Sequence, residues 1–186
     1  SASGAKLDLA GFNEALAAVN NSGTVSLAGS APGTVLTVTG PWVGNGGTLA
    51  LTAGLGGDTS VTDKLLLSGA TAIASGTTAL QITNVGGLGA LTTGSGIGVV
   101  ATENGASLQP GSFTLAGEHV DAGAYEYRMT QTAQGAALHS SVPVPAPAPS
   151  PSPAPSPSPA PSPSPAPTPT PAPAYRAEVP LLSAMP

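Results

Sequence analysis

Apolar and polar residues alternate with a period of two over much of residues 20–140. The alternation is clear in Thr24-Val25-Ser26-Leu27, Thr34-Val35-Leu36-Thr37-Val38, Thr48-Leu49-Ala50-Leu51-Thr52 and Ala79-Leu80-Gln81-Ile82-Thr83. Successive side chains of a strand point to opposite faces, so this pattern predicts many short, half-buried strands. Asn21-Ser22-Gly23, Gly44-Asn45-Gly46-Gly47, Gly56-Gly57-Asp58 and Gly86-Gly87-Leu88-Gly89 lie between them. Each cluster tolerates positive φ and reads as a turn separating two strands.

A turn-plus-strand unit recurs at Gly23-Thr24, Gly33-Thr34, Gly47-Thr48 and Gly76-Thr77, at intervals of 10, 14 and 29 residues. Irregular repetition of this kind suits a β-solenoid whose rungs carry loops of variable length. A β-sandwich would give similar strand spacing. The single Trp and two Phe favour the solenoid, because a sandwich of this size needs more aromatic volume in its core. The first twenty residues admit two readings. Phe12, Leu16 and Val19 fall at helical spacing, while Leu7 and Leu9 alternate and Asn20-Asn21-Ser22-Gly23 ends in a turn. The expectation is another rung.

The pattern stops near Ser141. Proline occupies every odd position from Pro143 to Pro173, and all 25 glycines lie at or before Gly135. Each ring fixes φ and drives the preceding residue out of the helical region. The expected conformation is an extended polyproline II spacer, about 95 Å long at ~3.1 Å per residue. Tyr175-Arg176-Ala177-Glu178-Val179-Pro180 opens a new composition, like the start of a further domain. The domain reading is therefore 1–140 as a β domain, 141–173 as a linker and 174–186 as a truncated further unit.

Charge narrows the partners. Charged residues make up 7% of the chain, the net charge is −5, and the cations are Lys6, Lys64, Arg128 and Arg176. Nucleic acid is excluded as a partner, since binding it needs phosphate neutralisation, and anionic membrane is equally poor. There is no cysteine, which suits a bacterial surface protein that must pass a narrow pore. No apolar run reaches the ~18 residues of a membrane-spanning helix. Ser1 to Leu9 has neither the basic start nor the apolar stretch of a signal peptide. The signal is expected upstream in a longer precursor, or the protein is not exported.

Catalytic chemistry finds little support. His119 lies near Glu118, Asp121 and Glu126, but a metal needs at least three converging ligands, and a solvated loop is the simpler reading. Asp58 and Asp63 sit in a glycine-rich run without calcium-loop spacing, so turn capping is expected. Ser95 lies between glycines with neither histidine locally linked to it, and no nucleophile elbow is present. No cofactor is expected.

An ordered set of motifs resembles the C-terminal passenger region of the pertactin-like bacterial autotransporters. It runs through Gly46-Gly47-Thr48-Leu49, Leu55-Gly56-Gly57-Asp58, Thr62-Asp63-Lys64-Leu65, Thr83-Asn84-Val85-Gly86-Gly87-Leu88-Gly89-Ala90 and Thr92-Thr93-Gly94-Ser95-Gly96-Ile97. It continues through Phe113-Thr114-Leu115 and Gly123-Ala124-Tyr125-Glu126-Tyr127-Arg128 to the proline-rich hinge and the Tyr-Arg-x-Glu-Val-Pro block. The resemblance implies an all-β, right-handed parallel β-helix whose last rungs act as an autochaperone. It also implies secretion behind a C-terminal β-barrel. Where the family tends to carry an aromatic near its final strand, this chain has Gly135-Ala136-Ala137-Leu138-His139-Ser140, which implies a weaker closing cap.

The expectation is thus a monomeric, non-enzymatic folding template at the bacterial cell surface, in the outer membrane or on a secreted passenger. Its partners would be its own translocator barrel and N-terminal passenger. The template core would be Leu49, Leu51, Leu65, Leu67, Leu80, Ile82, Val99, Phe113, Leu115, Tyr125 and Tyr127. The alternative is an adhesin, a host-binding β-domain with a cell-surface ligand, held off the membrane by the stalk.

Overall fold

The structure is a computed structural model that describes residues 2–142, 168–172 and 174. The chain divides into two units, Ser1–Ala146 and Pro147–Pro186. In the second unit, residues 168–172 and 174 are exposed and belong to no strand or helix. The extended spacer at 143–173, those few residues apart, and the new composition from Tyr175 onward lie outside the described residues.

The first unit is all-β. In chain order its strands are β1 (Lys6–Asp8), β2 (Glu14–Leu16), β3 (Val19–Asn21), β4 (Thr24–Ser26), β5 (Val35–Val38), β6 (Trp42–Ala53) and β7 (Lys64–Ser68). They continue as β8 (Ile73–Asn84), β9 (Ile97–Glu103), β10 (Ser107–Leu108), β11 (Phe113–Leu115), β12 (Val120–Ala122), β13 (Tyr125–Thr132) and β14 (Gly135–Ser141). The first twenty residues form strands, as expected for a rung.

From β4 to β9 the chain passes alternately between two sheets. One sheet runs β1-β4-β6-β8-β10, with β3 on β6 and β11 on β8, and every pairing in it is parallel. In the other, β2, β5, β7 and β9 stack in parallel. Parallel neighbours joined through a second sheet are the rungs of a β-helix-like solenoid. The register partners Lys6, Thr24, Thr48, Ala79 and Thr114 stand one above another, so rungs lengthen from 18 to 24, 31 and 35 residues. The growth is shared between longer strands, such as β6 and β8, and longer connections, such as residues 85–96.

Stacked inward columns make the core. Val25, Leu49 and Leu80 form one, and Leu36 and Leu65 with Val100 another; all are buried. Trp42 is fully buried; its indole N–H donates to Thr78 Oγ1 at 3.0 Å and its ring lies 6.0 Å from that of Phe113. An apolar body with its one donor satisfied suits an interior position.

One turn expectation is corrected. Gly44-Asn45-Gly46-Gly47 does not separate strands; β6 runs through it from Trp42 to Ala53, with a register shift between Asn45 and Gly47. β8 likewise runs through Gly76. The glycines permit a bulge at the solenoid corner without ending the ladder. Gly76 (φ +71°) packs so close to the Gly44 carbonyl that no Cβ fits between them.

Candidate functional site

The two ends of the solenoid differ. At the C-terminal end the pairing changes sense. β14 lies antiparallel on β9, β13 on β14 and β12 on β13, so a three-stranded meander closes the second sheet. Val120 faces Tyr127, and Tyr127 faces Ser140. The Gly135–Ser141 strand contributes Ala136 and Leu138 to the core.

Tyr127 is fully buried, and its hydroxyl is the hub of this cap. The oxygen lies 2.8 Å from Gly56 O and 2.9 Å from Ala90 O, so its one proton is shared between two carbonyls. It accepts from the Ala90 N–H at 2.9 Å. Ser140 works beside it: its hydroxyl accepts from the Thr92 N–H at 2.7 Å and lies 2.9 Å from Ala90 O. Cap side chains thereby hold the strandless crossing at residues 85–96.

Other residues pin the same crossing. Asn84 Oδ1 accepts from the N–H groups of Leu55 and Gly87, both at 3.1 Å, and its amide donates to Gly87 O at 2.8 Å. Asp58 accepts from the N–H groups of Gly96 at 2.7 Å, Thr93 at 2.9 Å and Gly94 at 3.0 Å. Those donors, Thr93 first, hold its carboxyl below the ordinary value of 3.8, against the opposing effect of partial burial. Fully buried Asp63 accepts from the Gly33, Thr34 and Thr52 N–H groups and the Thr52 hydroxyl at 2.7–2.9 Å, joining the chain that leads into β5 to β6. Both aspartates are caps, but of chain 11 to 38 positions away rather than of their own turn.

Of the expected template core, Leu49, Leu51, Leu65, Leu67, Leu80, Ile82, Val99, Phe113 and Tyr127 are buried. Leu115 and Tyr125 are only partly buried and pack against the core. Sequence reasoning missed Trp42, Thr78, Asn84 and Ser140. The lone Trp had no alternation around it; Thr78 takes the indole N–H of that distant Trp, and Asn84 and Ser140 take distant backbone, which no local pattern reveals.

His119, Asp121 and Glu126 each place a ligand atom within 4.8 Å of the others. The first two are exposed, His119 Nε2 lies 3.7 Å from Asp121, and Glu126 is already paired with Arg128. Ser95 and His139 share a shallow groove of about 270 Å³ with Val100, Thr130 and Ala136, and no carboxylate lines it. That lining lacks the acid that would orient a histidine base.

At the N-terminal end, β1 and β2 are the terminal strands of their sheets. Leu7 and Phe12 are exposed there, 41% and 70%, and Leu7, Leu9, Glu14 and Leu16 line the mouth of the core. Among the described residues the second sheet thus ends in an antiparallel meander on its C-terminal side, whereas both sheets end in parallel strands on the N-terminal side.

The sequence family described as Autochaperone Domain Type 1 matches residues 15–129. An Escherichia coli protein, YuaQ, is 41% identical over 121 residues, 65% of this chain and 8% of its own length. The adhesin BmaC autotransporter of Brucella suis is 42% identical over 113 residues, 59% of this chain and 3% of its own. YfaL, a probable autotransporter of Escherichia coli, is 40% identical over 115 residues, 60% of this chain and 9% of its own. The chain thus spans less than a tenth of each of these relatives.

Proposed function

The chain belongs to the Autochaperone Domain Type 1 family and is the autochaperone region of an autotransporter; on that premise we propose that its capped end folds first and its open edge then templates the passenger. The passenger would be the chain upstream, and the translocator barrel the unit downstream of the proline-rich segment. The C-terminal end leaves the pore first, folds on its antiparallel cap and presents β1 and β2. Each following segment pairs onto that edge and becomes the next edge. A bare sheet edge is a template for strand addition, and nearest-neighbour stacking makes each addition favourable by itself. Downhill pairing on the far side biases transport outward without nucleotide hydrolysis. In this reading the domain is non-catalytic, monomeric and carried at the cell surface.

The observation that carries the reading is the asymmetry of the ends. Beyond β9 the second sheet turns into the antiparallel meander of β14, β13 and β12, while at the other end β1 and β2 are parallel strands that no antiparallel strand follows among the described residues. The test is a Tyr125→Asp/Tyr127→Asp variant of a precursor that retains its barrel. Charge at the buried Tyr127 position costs several kcal/mol unless paired. The barrel should insert normally while the protease-resistant passenger at the surface falls sharply. Wild-type levels of resistant passenger would refute the role of the cap.

A further inference from the structure

The open edge carries charge where the rung stacked directly on it carries none. Residues 15–57 contain no Asp, Glu, Lys or Arg, whereas the first rung holds Lys6, Asp8 and Glu14. On β1, Lys6 is in register with Thr24 and Asp8 with Ser26; between them Leu7 stands over the fully buried Val25. Lys6 and Asp8 thus occupy the outward face, where they form an ion pair with each other. Their backbone groups are oriented as well. Ala5 O accepts from the Thr24 N–H, and the Leu9 N–H donates to Ser26 O, both at 2.8 Å. Alternate residues of a parallel ladder turn their backbone groups to the same neighbour, so Lys6 and Asp8 turn theirs to the open side. On β2, Glu14 is in register with Leu36 and, through it, with Leu65, a column that is fully buried in the later rungs.

We infer that this edge selects its partner by charge: it takes a parallel strand reading acidic–apolar–basic, with the acid over Lys6 and the base over Asp8. The inference rests on the templating reading and adds what the template recognises. Alternation of apolar and polar residues rejects a one-residue slip, because the slip turns every apolar side chain outward. A slip of two residues leaves every apolar side chain inward, so alternation cannot reject it. Opposite charges two positions apart can. Sliding the partner by two sets its acid over Asp8 or its base over Lys6, and like charges directly opposite are destabilising. Glu14 acts in the same sense. Its inward position would trap an unpaired carboxylate under a uniformly apolar strand, a device that edges use against indiscriminate pairing.

The experiment uses the intact chain and two short labelled peptides of equal composition, one centred on Glu-Val-Lys and one on Lys-Val-Glu, with fluorescence anisotropy as the readout. At about 0.1 M salt the chain should bind the first about tenfold more tightly. The Lys6→Asp/Asp8→Lys double variant, with both side chains exposed, should keep the wild-type circular dichroism and reverse the preference. At about 1 M salt the preference should fade. Equal binding of both peptides, or a preference that the double variant fails to reverse, overturns charge selection and leaves a docking edge intact. Failure of either peptide to bind overturns the docking edge and the inference with it. A dimer with β1 protected from exchange assigns the edge to a second copy and overturns the inference.

Discussion

The hydroxyl of Tyr127 lies 2.8 Å from the carbonyl oxygen of Gly56, which is 71 positions earlier in the chain. One buried phenol thereby joins the terminal meander to the turn after β6, and through Ala90 to the crossing between β8 and β9. The ring fills core volume, and the oxygen satisfies backbone groups that no strand pairing reaches.

Tyr127→Phe keeps the ring and removes that oxygen. The Ala90 N–H and the Gly56 carbonyl lose their partner in a buried setting, which costs about 1–3 kcal/mol. Urea unfolding of the chain should show this loss in the midpoint with little change in slope. Tyr125→Phe, at a ring only partly buried, should stay within about 0.5 kcal/mol of wild type.

Asp58 supplies a dependence on pH. Its carboxyl is held below the ordinary 3.8, chiefly by the Thr93 N–H and then by those of Gly96 and Gly94. A depressed value in the folded state means that the ionised form stabilises. That contribution is complete above the unfolded value and is lost as pH falls through the lower folded value. Asp58→Ala should therefore lower the melting temperature at neutral pH, and its gap from wild type should narrow below pH 3.8. Thermal melts of both proteins across the acid range check it. A gap that widens on acidification would contradict the assignment.

Two glycines at neighbouring corners should respond differently to alanine. At Gly76 an added Cβ would overlap the Gly44 carbonyl, and φ is +71°. At Gly46 φ is +73° with open space around it. Gly46→Ala should cost only the left-handed strain, about 1–2 kcal/mol. Gly76→Ala must also push two rungs apart, so it should cost clearly more or prevent folding. Denaturant midpoints of the two variants decide.

The strands were legible in the sequence because one face of each is buried: Val35–Val38, Thr48 to Leu51 and Leu80 to Thr83 all alternate along their length. What alternation cannot carry is the sense of pairing. β13 and β14 read like any other strand, yet they run antiparallel and make the cap. Nor does it distinguish a turn from a bulge, which is why Gly44 to Gly47 reads as a break and is a bend within β6. Of the site, the apolar members were legible from their columns. The polar members were not. Asp63, Asn84 and Ser140 take backbone partners far along the chain, and their neighbours in sequence carry no sign of it.

The central claim is an order of events: the capped end forms before the open end. Pulse-labelled hydrogen exchange during refolding of the intact chain reads that order directly. Amides of β9, β13 and β14, among them Val100, Tyr127 and Leu138, should gain protection first. Those of β1, β2 and β4, among them Leu7, Leu16 and Val25, should follow in a later phase. If the first rung became protected before the meander, or in the same step, the cap would not be the nucleus and the templating account would be contradicted.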